Sequence, residues 1–206
     1  MQIAIDTSTD TASLALVQES GVIAELTWRC VQNHTIQLLP NLAHLLKQNN
    51  LSLKTADCII VARGPGSYNG LRVGISTLEA EAYQYAPTGL PVCPVFNAGR
   101  EEIATATYQQ KTGQWRQIAE ERLTTVEALC DKIITKTVFC GEFVPAVAEK
   151  LKDNLKQKAV IVPGLRRAGF LAELGLKRFK AGDYDDAATL QALYFRGPSI
   201  SQPKHR

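Results

Sequence analysis

The chain has 206 residues, of which 45% are hydrophobic and 21% charged, with a formal net charge of +3. These values suit a soluble globular chain of one large domain or two small ones and exclude a disordered polymer. No apolar run approaches the roughly 18 residues that a membrane span requires, and the chain opens directly on a strand-like pattern with no signal-type leader, so a cytoplasmic protein without a membrane partner is expected.

The stretch QIAIDTSTDTASLALVQESGVIAELTWRC alternates apolar runs with turn residues at 7–10 and 19–21, the pattern of a three-stranded antiparallel meander. A helix is predicted over 34–48 and a strand over 58–62. Then comes ARGPGSYNGLRVG, with glycines at 64, 66, 70 and 74. Gly64-Pro65-Gly66 suits a sharp turn, Ser67 an N-cap, and Leu71, Ile75, Leu78 and Ala82 recur at helical spacing, so a helix over 69–85 is expected, followed by a strand over 91–96. The second half repeats this order: a hairpin from 103 to 121 turning at 111–113, a short helix over 126–134, a strand over 137–140, a helix over 145–154 and a strand over 159–162. Helices over 165–179 and 185–194 precede a polar tail. A meander followed by alternating helices and strands, given twice, predicts an α/β protein of two lobes, residues 1–96 and 97–206.

Two readings of the glycine-rich elbow compete. It could present backbone N–H groups to a phosphate at a helix N-terminus, or clear a strip for close packing. A Walker loop needs a lysine, and none occurs between Thr55 and Lys111; a dinucleotide fingerprint needs a third glycine where Asn69 stands. Gly66, Gly70 and Gly74, four apart, would instead leave one helix flank free of side chains. The cysteines at 30, 58, 93, 130 and 140 form no Cys-x-x-Cys pair and several sit among Val, Ile or Phe, so reduced core residues are expected. The basic clusters, Arg166-Arg167 among them, read as solvated helix faces.

Taken together, IAIDTSTDTASLALV, HTIQLLPNLAHLL and VARGPGSYNGLRVGIS resemble the TsaB (YeaZ) family. The first of these also resembles the phosphate hairpin of the actin, hexokinase and Hsp70 superfamily, whose turn faces a nucleotide phosphate and magnesium. The resemblance implies two stacked ribonuclease-H-like (actin-like ATPase) lobes, each a mixed sheet with flanking helices. It also implies a scaffold role in forming threonylcarbamoyladenosine at position 37 of tRNA. The partners implied are a catalytic TsaD-like paralogue and a small TsaE-like ATPase, with a homodimer when the chain is alone and tRNA reached only through the complex. The second half matches more loosely: Asn97 replaces an aspartate, Tyr194, Phe195 and Arg196 stand for a terminal Tyr-Leu-Arg, Tyr68-Asn69 replaces Phe-Thr, and Glu79 and Glu81 sit in a helix that usually carries small apolar residues.

The chain's own chemistry can be asked separately. His34 is followed four residues later by Leu38, not by a second histidine, so the chelating helix pair of a metal site is absent and no metal is expected. Asp6, Thr7 and Ser8 either orient magnesium and phosphate or cap their own turn, and the second lobe offers only Ala98-Gly99-Arg100 where a kinase needs another phosphate hairpin. No cofactor and no catalytic residue are expected, and the alternative is a stand-alone actin-like ATP-binding kinase or ATPase. Apolar residues of the 34–48 helix spread over half its circumference, wider than one sheet needs. The helix's second neighbour is then either the elbow helix or a partner chain. In the family that the sequence resembles, the equivalent pair of helices meets the catalytic subunit as a four-helix bundle, and the resemblance thus implies Ile36, Leu38, Leu42, Leu45, Gly66, Gly70, Gly74 and Thr77 as the partner interface.

Overall fold

The computed structural model describes residues 1–30, 33–64, 74–162, 164–183 and 185. Strands β1 (Gln2–Asp6), β2 (Thr11–Gln18) and β3 (Gly21–Arg29) form the expected meander, with Ile3 opposite Leu16 and Leu14 opposite Leu26. After helix α1 (His34–Gln48), β4 (Cys58–Ala62) adds parallel to β1 and β5 (Gly74–Ile75) parallel to β4, giving the order β3-β2-β1-β4-β5. A parallel pair needs a crossover, and α1 supplies it.

Side chains alternate across this sheet. Ile3, Leu14 and Leu16 face α1 and pack with Leu42, Leu45 and Leu46, each burial contributing roughly 1.5–3 kcal/mol. Ala4, Ala15, Val17 and Ile60 face the other way, towards helix α5 (Ala168–Lys180). The small residues there let α5 come close. At Gly175 an added Cβ would lie 2.4 Å from Ile60 Cγ2.

Helix α2 (Thr77–Tyr83) shares the inner layer with α5, and its Leu78 and Ala82 reach the second sheet. That sheet is ordered β10-β9-β6-β7-β8 and contains β6 (Val92–Gly99), β7 (Glu102–Lys111), β8 (Gln114–Thr125), β9 (Thr137–Cys140) and β10 (Ala159–Ile161). Its outer face, with Val95, Ile103 and Phe139, is covered by α3 (Val126–Cys130) and α4 (Pro145–Leu155). The layers run α1, first sheet, α2 with α5, second sheet, α3 with α4. This is the two-lobed α/β arrangement that the sequence predicts.

Three expectations are corrected. The elbow helix begins at Thr77, capped by the Ser76 hydroxyl accepting from Leu78 N–H, not near Asn69; Gly74 and Ile75 are extended because their backbone pairs with Val61 and Ala62. Gly74 therefore lies on a strand and cannot belong to a helical glycine strip, while Gly66, Gly70 and the Ser67 cap lie outside the described residues. The lobe boundary at 96/97 cuts through β6, which is the central strand of the second sheet, and α5 returns from the second half to pack on the first sheet. The described part of α2 is not a neighbour of α1 either, because the first sheet stands between them. The predicted helix over 185–194 and the tail fall outside the described residues.

Candidate functional site

The β1–β2 turn is the centre of a buried polar cluster between the two sheets. Asp6, at the end of β1, accepts through Oδ1 from the Ser8 N–H at 3.0 Å and from the Ser8 hydroxyl at 2.7 Å, so the aspartate caps its own turn. Thr77, at the start of α2, donates to Ser8 Oγ at 2.9 Å. Into this turn comes Arg166, from the segment just before α5.

Arg166 is 1% exposed, and its guanidinium is surrounded by partners. Nη1 donates to Ser8 Oγ at 2.6 Å. Nη2 donates to the Thr11 carbonyl at 2.9 Å, to the Thr9 hydroxyl, and to Glu142 Oε1 at 3.4 Å. Nε meets Asp6 Oδ2 at 3.1 Å as an ion pair, off the line of a hydrogen bond. Glu142, just beyond β9, also accepts from the Thr9 hydroxyl at 2.8 Å, and Phe96 of β6 places its ring centroid 5.8 Å from the guanidinium carbon.

The resemblance of this hairpin to a nucleotide-phosphate hairpin implies magnesium nucleotide at such a turn, and the residues present do not fit it. A phosphate needs free donors, yet both donors of Ser8 are directed at Asp6 and the Thr9 hydroxyl at Glu142. Magnesium needs a free carboxylate, yet Asp6 divides its two oxygens between Ser8 and Arg166. Among the described residues no group of three His, Cys, Asp or Glu side chains could hold a metal ion.

Glu81 of α2 adjoins this cluster and is 1% exposed. Its Oε1 accepts from Gln84 Nε2 at 2.9 Å, while Oε2 has no hydrogen-bond partner among the described residues. Burial pushes its carboxyl up to about 7; Arg166 opposes this rise, and the charges of Glu142 and Asp6 add to it. Burial likewise raises the Tyr85 phenol, whose oxygen lies with Glu81 around Gly164.

A second feature lies on the opposite side of the first sheet. On α1, Ile36 and Leu39 are 73% and 67% exposed. With the exposed Pro40 and Ala43 they form an apolar stripe at i, i+3, i+4 and i+7. His34 fixes the start of this helix, its Nε2 lying 2.7 Å from the Thr9 carbonyl, and the Trp28 indole holds Gln37 at 3.0 Å.

The predicted site residues thus separate. Asp6, Thr7 and Ser8 are buried at the turn, and Thr77 joins them there, fully buried, instead of facing outward. Leu42 and Leu45 are buried in the chain's own core, Leu38 is partly buried against it, and Ile36 is exposed. Sequence reasoning missed Arg166, which reads as half of a solvated pair: Arg167 does lie at the surface, bonded to Glu25 at 2.7 Å, but Arg166 is inside. It also missed Glu142. Glu81 did carry a signal, as one of two acids, with Glu79, on a helix that in the family usually carries small apolar residues.

Comparison with known proteins agrees with this fold. Residues 9–86 match the family model described as "TsaD: tRNA N6-adenosine threonylcarbamoyltransferase". The tRNA threonylcarbamoyladenosine biosynthesis protein TsaB of Haemophilus influenzae is 37% identical, over 94% of this chain and 92% of that protein. TsaB of Bacillus subtilis is 31% identical, over 77% and 78% respectively. Among solved structures, YeaZ from Pseudomonas aeruginosa superposes with a TM-score of 0.76 at 21% identity, covering 93% of this chain and 99% of that one. The activator of 2-hydroxyisocaproyl-CoA dehydratase from Clostridium difficile shares the fold at a TM-score of 0.53 and 8% identity, over 90% and 98%. With relatives of this identity aligned along most of its length, the chain belongs to the TsaB family.

Proposed function

We propose that this chain is a non-catalytic subunit in the biosynthesis of threonylcarbamoyladenosine in tRNA, and that it pairs through α1 with a catalytic TsaD-like paralogue. The observation that carries the pairing is the exposed stripe of Ile36, Leu39, Pro40 and Ala43 on a helix whose other face is already satisfied by the first sheet. An apolar face of this spacing suits a partner helix, and such faces on monomers mark association sites. The family model of the catalytic protein matches residues 9–86, which include α1, so the two chains would present related helices to one another across a pseudo-twofold axis.

The non-catalytic part of the proposal rests on the β1–β2 turn, where the Ser8 and Thr9 hydroxyls are directed at the chain's own carboxylates. The stand-alone kinase or ATPase alternative would need those donors for phosphate. A TsaE-like ATPase, contact with tRNA only through the assembled complex, and a homodimer in the absence of the paralogue complete the proposal. The test is a pull-down of the paralogue with the native chain and with Ile36→Glu/Leu39→Glu as bait, with light scattering of each bait alone. Retention of the paralogue by the folded double variant would refute pairing through α1.

A further inference from the structure

We propose that Arg166 is the resident cation of the cleft between the sheets: it closes the β1–β2 turn to magnesium nucleotide from within and fastens the two sheets together. Its partners come from both sides. Asp6, Ser8, Thr9 and Thr11 belong to the first sheet and its turn, whereas Glu142 and Phe96 belong to the second. A guanidinium has five donors in a planar fork, so one group can reach a hydroxyl, a carbonyl and two carboxylates at once.

The charge balance points the same way. Among the described residues Asp6 and Glu142 are its ion-pair partners, at 3.1 and 3.4 Å, and Asp6 is 1% exposed; without a cation this pocket would hold uncompensated carboxylate charge. The position a phosphate-bound magnesium would need beside Asp6 is thus taken by a permanent charge that cannot dissociate. Because the Thr9 carbonyl also meets His34, the fastening extends to the start of α1. A cleft held in this way has exchanged nucleotide-dependent movement of the lobes for a fixed platform.

The test combines binding with stability on the full chain. Titration calorimetry with Mg-ATP is expected to give no saturable heat for the native protein. In urea unfolding, Arg166→Lys is expected to lower the midpoint although it keeps the charge, because an ammonium cannot span Asp6, Ser8 and Thr11 together. Asp6→Asn and Arg166→Met are expected to be non-additive, the double variant losing less than the two single losses summed. Should Arg166→Met fail to fold, Arg166→Lys replaces it in the cycle. Saturable Mg-ATP binding that Asp6→Asn abolishes would overturn the proposal. So would additive losses, or a native midpoint in Arg166→Lys.

Discussion

Replacing Glu81 by glutamine is expected to stabilise the protein, and by an amount that grows with pH. The Glu81 carboxyl lies beside Asp6, Glu142 and Arg166, and burial raises it from an ordinary 4.5 to about 7. A carboxyl raised on folding binds its proton more tightly in the native state, so the native chain loses stability as pH climbs from about 4.5 to about 7. At 1.36 kcal/mol per pKa unit this loss amounts to roughly 3 kcal/mol above pH 7 and to about 1 kcal/mol at pH 5. Glutamine cannot ionise, and its carbonyl can still accept the hydrogen bond from Gln84. The variant should therefore exceed the native protein by roughly 3 kcal/mol at pH 8, an increase in Tm of about 6–12 °C for a chain of this size, and by about 1 kcal/mol at pH 5. Urea unfolding of both proteins at pH 5, 6, 7 and 8 measures the difference directly. A constant difference across that range, or a variant less stable at pH 8, would refute the claim that Glu81 is a desolvated acid held against its neighbours' charge.

Ile36→Glu and Leu39→Glu should change monomer stability by no more than about 0.5 kcal/mol, because both side chains are exposed, while abolishing association in light scattering. Leu42→Glu, by contrast, buries a charge in the core beneath α1 and should unfold the chain, which circular dichroism would show. Gly141 has φ +112° and an added Cβ would lie 2.5 Å from the Val95 carbonyl oxygen, so Gly141→Ala should cost at least about 2 kcal/mol by thermal melting; a native melt would show that the turn before Glu142 relaxes freely. Burial pushes the Cys93 thiol up to about 11 and raises Cys140 as well, so at pH 8 both should resist alkylation until the chain is denatured, as read by peptide mass mapping.

Local patterns carry local structure, and they were legible here. The alternation in Gln2–Asp6 and Thr11–Gln18, the Pro145 helix start and the strand Thr137–Cys140 each depend on residues a few positions apart, and the structure has them where the sequence predicts. At Asp6-Thr7-Ser8 the sequence leaves two readings open, phosphate hairpin or self-capped turn, and the Asp6 carboxylate accepting from Ser8 is the geometry of the second. Apolar spacing alone misled at Ile75, which is buried whether it continues a helix or pairs as a strand; pairing with β4 decided for the strand. It misled again on α1 and α2, since a wide apolar face does not say on which side of a sheet its second partner stands.

The sequence by itself determined the order of the elements apart from β5, the class of the fold and the family, because each rests on periodicity or on motifs contiguous in the chain. Only the tertiary structure decided that α5 crosses back to the first sheet, that β6 belongs to the second, and that Arg166 rather than Arg167 enters the cleft. Ser8 and Arg166 are separated by 158 positions, and no local rule relates the charge of one to the hydroxyl of the other. Neighbouring arginines have the same intrinsic chemistry. What distinguishes them is that packing turns one side chain towards Asp6 and the other towards water, and that choice is made by the whole fold.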